Sequence, residues 1–110
     1  MNTVKLIPAA DIFEKENEYL LVAELPGVSK NTLEIEVENE ELIIRGKPDW
    51  KKGEWNLSYG EFVDQYEFER VFSIGRDIDR EKIKAGMENG ILTLELPKAE
   101  EMKPRKIEIK

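Results

Sequence analysis

The strongest constraint in this chain is a two-residue rhythm. Over residues 32–38 apolar and acidic side chains alternate without a break, with Leu33, Ile35 and Val37 on one side and Glu34, Glu36 and Glu38 on the other. On an extended strand this period makes one dry face and one wet face. A helix cannot satisfy it, because a helix brings every third or fourth residue to the same side. The rhythm recurs along the chain. Residues 18–25 are rich in Tyr, Leu and Val and stop at Pro26-Gly27, and residues 41–45 form a short apolar run stopped by Gly46. Residues 65–73 set Tyr66, Phe68, Arg70 and Phe72 against Glu67, Glu69, Val71 and Ser73. Residues 82–88 put Ile83, Ala85 and Met87 on one side. Asn39-Glu40 is short enough for a tight hairpin. Asn89-Gly90, followed by the return strand 91–96, is a stronger hairpin signal, since both central positions of a type I′ turn need positive φ. About eight short strands divided by turn residues predict an all-β fold, an immunoglobulin-like two-sheet β-sandwich.

Composition narrows the function. A chain of 110 residues fits one domain and buries enough surface for a core without staples. It has no Cys and no His, so disulfides and Ser-His or Cys-His nucleophile pairs are excluded, and the Cys and His ligands that a structural zinc site normally needs are absent. The net charge of −7 argues against a nucleic-acid partner. No glycine-rich phosphate loop and no Asp-rich calcium loop occurs, and Glu34, Glu36 and Glu38 are most simply a solvated strand face. The expectation is therefore no enzyme, no cofactor and no metal. The first ten residues are too short and polar for a signal peptide, and no apolar run reaches the ~20 residues of a membrane span, so the cytoplasm is the expected compartment.

Two segments break the rhythm. Residues 47–60 contain Pro48, Gly53 and Gly60, yet carry Trp50, Trp55, Leu57 and Tyr59, which are large apolar groups to leave in water. Such a loop either packs back on its own domain or docks on something else. After Pro97 the chain is charged and proline-containing as far as Lys106, which predicts an extended tether, and it ends in Ile107-Glu108-Ile109-Lys110. The two isoleucines point the same way on an extended chain. They read either as a frayed tail or last edge strand, or as a plug that enters one groove together. From Pro97 such a tether reaches at most ~33–36 Å over its ten or so residues, so docking in cis and docking on a neighbour are both open.

Four passages, in order, carry a resemblance to the α-crystallin domain of the small heat-shock proteins. They are Pro8-Ala9-Ala10-Asp11-Ile12-Phe13-Glu14; Leu25-Pro26-Gly27-Val28; the run from Ala85 through Asn89-Gly90-Ile91-Leu92 to Leu96-Pro97-Lys98; and Ile107-Glu108-Ile109. The hairpin residues Ala85, Asn89, Gly90, Ile91 and Leu92 are the specific part. The resemblance implies an ATP-independent chaperone that holds partly unfolded proteins. It implies a short arm over 1–7, a sandwich over 8–98 and a flexible extension over 99–110. It also implies a receiving groove at a sheet edge, formed by Leu33, Ile35, Val37, Ile83, Ala85 and Met87, for Ile107 and Ile109. A strand-exchanged homodimer, with the option of a larger homo-oligomer, would use Trp55, Leu57, Tyr59 and Arg70, with Glu54 or Glu61 as a partner for Arg70. The residue-level alternative for Arg70 is a surface arginine whose stem lies over an apolar face. The chain departs from the family pattern in its short N-terminal segment and in Gly75, where a proline is usual after the arginine strand. A co-chaperone-type adaptor of the p23-like kind, sharing a similar sandwich but docking one folded partner, is the runner-up.

Overall fold

The computed structural model describes residues 3–49, 65–100 and 106–110. Eight strands form two four-stranded sheets. β1 (Thr3–Leu6), β6 (Gln65–Ser73), β5 (Glu41–Pro48) and β4 (Val28–Glu38) make one sheet in that order; β2 (Ala10–Glu14), β3 (Glu18–Glu24), β8 (Ile91–Pro97) and β7 (Lys84–Glu88) make the other. The sandwich expected from the alternation is the fold observed. Every pairing is antiparallel except β1 with β6, which is parallel.

The alternation places the core. Leu21 and Ala23 from β3, Leu42 and Ile44 from β5, and Leu92 and Leu94 from β8 are all 0 % exposed and face one another across the sandwich. Fully burying each leucine or isoleucine contributes roughly 1.5–3 kcal/mol relative to leaving it in water. The β7–β8 turn is the predicted hairpin: Asn89 and Gly90 have φ of 51° and 76°. Asn39 at the β4–β5 turn likewise lies in the left-handed region, with φ 55°.

Some boundaries differ from the expectation. β4 begins at Val28 rather than near Thr32, with an irregular register between Val28 and Leu33. β5 extends beyond Gly46 because buried Gly46 lies against Val28; a Cβ there would sit 3.0 Å from a Val28 methyl. Residues 80–82 form a 3₁₀ turn capped by the Asp79 side chain, so Ile83 precedes β7 instead of lying within it. β1 was not anticipated. It is four residues long and takes its order from a parallel neighbour more than sixty positions away, which local periodicity cannot reveal.

Candidate functional site

Among the described residues the sheet order leaves four strand edges, on β1, β4, β2 and β7. β4 and β7 end their respective sheets on the same side of the sandwich and touch. Of the groove residues named from sequence, Leu33 and Ile35 on β4, Met87 on β7 and Ile83 just before it are partly buried and pack against the core. Val37 is 36 % exposed and Ala85 is exposed. The structure thus brings both halves of the named set to adjacent edges, with Val37 and Ala85 as their most open members. Ile107 and Ile109 lie in the described terminal segment, 85 % and 92 % exposed.

Two of the four sequence passages meet at the β7–β8 turn. The Gly90 carbonyl accepts a 2.7 Å hydrogen bond from the Leu25 N–H, and a Cβ on Gly90 would stand 3.4 Å from the Leu25 carbonyl oxygen. The Asn89-Gly90 turn therefore seats on Leu25-Pro26-Gly27. Of the remaining hairpin residues, Leu92 is fully buried in the core and Ile91 stands on the outer face, 38 % exposed.

Arg70 lies on the apolar side of β6, as its alternation implied. It pairs in register with Ile44, and its guanidinium sits 4.8 Å from the centroid of the Phe72 ring. Its Nη1 donates a 2.9 Å hydrogen bond to the carbonyl of buried Pro8, the residue that opens the first passage. Ring stacking satisfies the cation and the carbonyl takes one of its five donors. Trp55, Leu57, Tyr59, Glu54 and Glu61 lie outside the described residues.

β2 ends its sheet with Ile12 and Phe13 each 53 % exposed. Beside it a cleft of about 220 Å³ opens between the sheets, lined among others by Ile12, Leu21, Leu42, Phe72 and Leu96. Tyr19 and Asp77 on its wall belong to a polar cluster the sequence did not announce. The Tyr19 hydroxyl donates 2.8 Å to an Asp77 carboxylate, and Lys98 reaches Glu14 at 2.8 Å while its ammonium lies 5.1 Å from the Tyr19 ring centroid. Hydrogen bonding to Asp77, then burial and the nearby Asp77 and Glu14 charges, push the Tyr19 phenol up to about 12. The backbone fastens the same place: the Lys98 N–H bonds the Asn17 carbonyl and the Ala99 N–H the Asp77 carbonyl. Tyr19 and Asp77 are 58 positions apart, and no sequence spacing pairs them.

The outer face of the β1–β6–β5–β4 sheet is laced by cross-strand ion pairs. Arg45 meets Glu69 at 2.7 Å and Glu36 at 3.7 Å, and Lys47 meets Glu67 at 3.7 Å. The Arg45 hydrogen bond, with the charge of Lys5, holds the Glu69 carboxyl below the usual carboxylate range. This accounts for the alternating glutamates as a solvated face. Among the described residues no acidic group is arranged to hold a metal ion, and no described helix is long and apolar enough to cross a membrane.

Comparison with known proteins agrees with this architecture. The family model described as Hsp20/alpha crystallin family matches residues 11–110. Small heat shock protein C2 of Rickettsia felis is 40% identical over 106 residues, covering 96% of this chain and 69% of its own length. A probable 15 kDa heat shock protein of Leptospira interrogans is 35% identical over 105 residues, covering 96% of this chain and 79% of its own. Among solved structures, heat shock protein 16.0 from Schizosaccharomyces pombe superposes with a TM-score of 0.72 at 29% identity, covering 96% of this chain and 99% of that one. A small heat-shock protein from Xylella fastidiosa does so with a TM-score of 0.73 at 27% identity, covering 96% and 97%. With the four passages, the two-sheet topology and a family match over nearly its whole length, the chain belongs to the Hsp20/alpha-crystallin family of small heat-shock proteins.

Proposed function

We propose that this protein is an ATP-independent holdase of the cytoplasm that binds partly unfolded polypeptides and keeps them from aggregating. Members of its family are non-enzymatic chaperones. The observation that supports the reading is that the chain carries both two exposed isoleucines one residue apart, Ile107 and Ile109, and two neighbouring apolar edges, on β4 and β7, that could receive them. Burying both isoleucines yields roughly 3–6 kcal/mol before the ordering of the tail is subtracted, which suits a plug that exchanges rather than one that locks. Leaving the groove would uncover Leu33, Ile35, Ile83 and Met87 to an incoming apolar segment. The net charge of −7 favours solubility of the laden particle through self-repulsion.

On this reading residues 1–7 are the arm, 8–98 the sandwich and 99–110 the docking extension. The building block is a homodimer in which the segment carrying Trp55, Leu57 and Tyr59 adds to an edge of the second subunit. The β2 edge, with Ile12 and Phe13 half exposed beside an apolar cleft, suits that addition, which would also remove an aggregation-prone edge. The Xylella fastidiosa relative is described as having a distinct high order structure, in keeping with assembly beyond the dimer.

The test is native mass of the intact protein beside a deletion of residues 106–110, with suppression of client aggregation at equimolar protein and no nucleotide. Loss of higher oligomers with retention of the dimer is expected from the deletion. A purely monomeric intact protein, or one that leaves client aggregation unaltered, refutes the reading.

A further inference from the structure

The two outer faces of the sandwich differ in chemistry. The face of β1–β6–β5–β4 is bound by cross-strand ion pairs. The outer face of β2–β3–β8–β7 is not. There the register aligns Phe13 with Leu20, and Val22 with Thr93 and Gly86, with Ile91 one step along β8 from Thr93. Phe13 is 53 % and Ile91 38 % exposed, while Leu20, Val22 and Thr93 are partly open. A Cβ built on Gly86 would meet nothing within 4 Å, so the backbone there floors a dent walled by Ile91, Thr93 and Glu88. The result is an apolar diagonal from the β2 edge to the β7–β8 hairpin, with side chains from three strands, β2, β3 and β8.

Its border is acidic. Asp11, Glu18, Glu24, Glu88 and Glu95 lie on this same face, against the single lysine Lys84. None of these five carboxylates forms an ion pair with another described residue; on the opposite face Glu36, Glu67 and Glu69 pair with Arg45 and Lys47, and Glu34, Glu38 and Glu41 are left over beside those two cations. A solvated sheet face has no need of an apolar centre, and an apolar centre ringed by unpaired acids is complementary to an apolar segment flanked by bases.

We propose that the outer face of β2–β3–β8–β7 is a docking surface for extended segments of unfolded polypeptide whose apolar residues are flanked by lysine or arginine. This names a class of client within the chaperone reading above, and it rests on that reading. The β4–β7 groove and this face lie on either side of β7, so the two surfaces read different features: the groove takes paired aliphatic side chains, and the face selects by flanking charge. Attraction by the rim is reduced as salt is raised, because the Debye length shortens from ≈ 10 Å at 0.1 M to ≈ 3 Å at 1 M.

The experiment uses the full chain with a labelled, extended peptide of alternating valines flanked by lysines, and its glutamate-flanked twin. The lysine-flanked peptide is expected to bind about tenfold more tightly, the combined effect of several weak surface attractions. It should perturb the NMR signals of Leu20, Val22 and Ile91. The double reversal Glu24→Lys with Glu88→Lys leaves three acids against three lysines on this face and should abolish the preference while circular dichroism shows the sandwich intact. Equal binding of the two peptides overturns the proposal, as do perturbations confined to Leu33, Ile35 and Met87, or an unaltered preference in the folded double variant. Client-aggregation suppression by the wild type is measured alongside. Suppression without a peptide preference sinks the face and leaves the chaperone reading standing, while failure of suppression sinks that reading and leaves the peptide ratio to decide the face.

Discussion

Arg70→Ala tests how the beginning of the chain is fastened to the sandwich. In the wild type the guanidinium sits over Phe72 at 4.8 Å and donates to the Pro8 carbonyl at 2.9 Å. A hydrogen bond with a charged partner is worth about 1.5–3 kcal/mol, and a partly exposed cation–ring contact about 0.5–1 kcal/mol. The variant should therefore lose about 2–4 kcal/mol. For a domain of this size each kilocalorie moves the melting midpoint by roughly 4–6 °C, so a drop of about 10–20 °C is expected. The loss has a location as well as a size. Pro8 lies between β1 and β2, and the next carbonyl, that of Ala9, accepts from the Glu24 N–H. Amide exchange at Glu24 and along β1 should accelerate more than exchange at Leu94 in the core. Arg70→Lys keeps the charge but not the planar fork, and should recover only part of the difference. Thermal melts at matched protein concentration, needed because assembly shifts the midpoint, and amide exchange by mass spectrometry are the assays. A midpoint within a degree or two of the wild type, or acceleration spread evenly over all strands, would refute the reasoning.

Other expectations follow from the same contacts. Leu94→Ala, in a site with no exposure, should cost about 2–5 kcal/mol by denaturant titration, whereas Val71→Ala at 48 % exposure should cost well under about 1 kcal/mol. Gly90→Val forces a branched side chain into φ +76° with its Cβ 3.4 Å from the Leu25 carbonyl; it should destabilise by about 1–3 kcal/mol and broaden the amide signals of both Leu25 and Ile91. The Tyr19 phenol ionises near 10 in the unfolded chain but near 12 when folded, so its contribution is complete below pH 10 and is lost as pH rises from 10 to 12. Tyr19→Phe should flatten that alkaline decline, and ultraviolet titration of the wild type should show a tyrosine ionising well above the ordinary range. Glu69 has the opposite sign: its carboxyl is depressed by Arg45, so the stability it adds is present above the ordinary glutamate pKa and fades as pH falls through the folded value. Glu69→Gln should show less acid sensitivity than the wild type.

The parts of the fold that were legible are those written in short range. Six of the eight described strands announce themselves by local pattern, β2 only by the resemblance of its passage, and the Asn89-Gly90 turn by the one conformation that favours both residues. Three alternating residues at β1 are too few to register as a pattern, and its parallel partner is far along the chain. Arg70 was legible as an intruder on an aromatic face. Its acceptor was not, because a main-chain carbonyl belongs to every residue and only the folded path selects that of Pro8. The groove halves were separately visible on β4 and before β7, yet their adjacency depends on the order in which strands enter two sheets. The outer apolar diagonal escaped notice because its members, Phe13, Leu20, Val22 and Ile91, come from three strands, and it exists only in the register between them.

The clamp at Lys98 and Ala99 has a consequence for how a tail competes with a client. Because the Asp77 and Asn17 carbonyls hold the chain at that point, the reach of the proposed tether is counted from Ala99 and not from Pro97. Only about eight residues then separate the anchor from Ile107, a radius of at most ~26–29 Å. For the docking proposed above, a motif confined to a sphere of that radius is present at its own groove, or at any neighbour's within reach, at an effective concentration on the order of millimolar. A client segment at micromolar concentration must therefore bind roughly a thousandfold more tightly than the tail to occupy half the grooves, or wait until heat has multiplied the number of such segments. On that proposal the post to which the tail is tied sets the threshold at which unfolded protein is noticed. Loosening it, by cutting the Tyr19–Asp77 and Lys98–Glu14 contacts, would lower the local concentration of the tail without altering either surface.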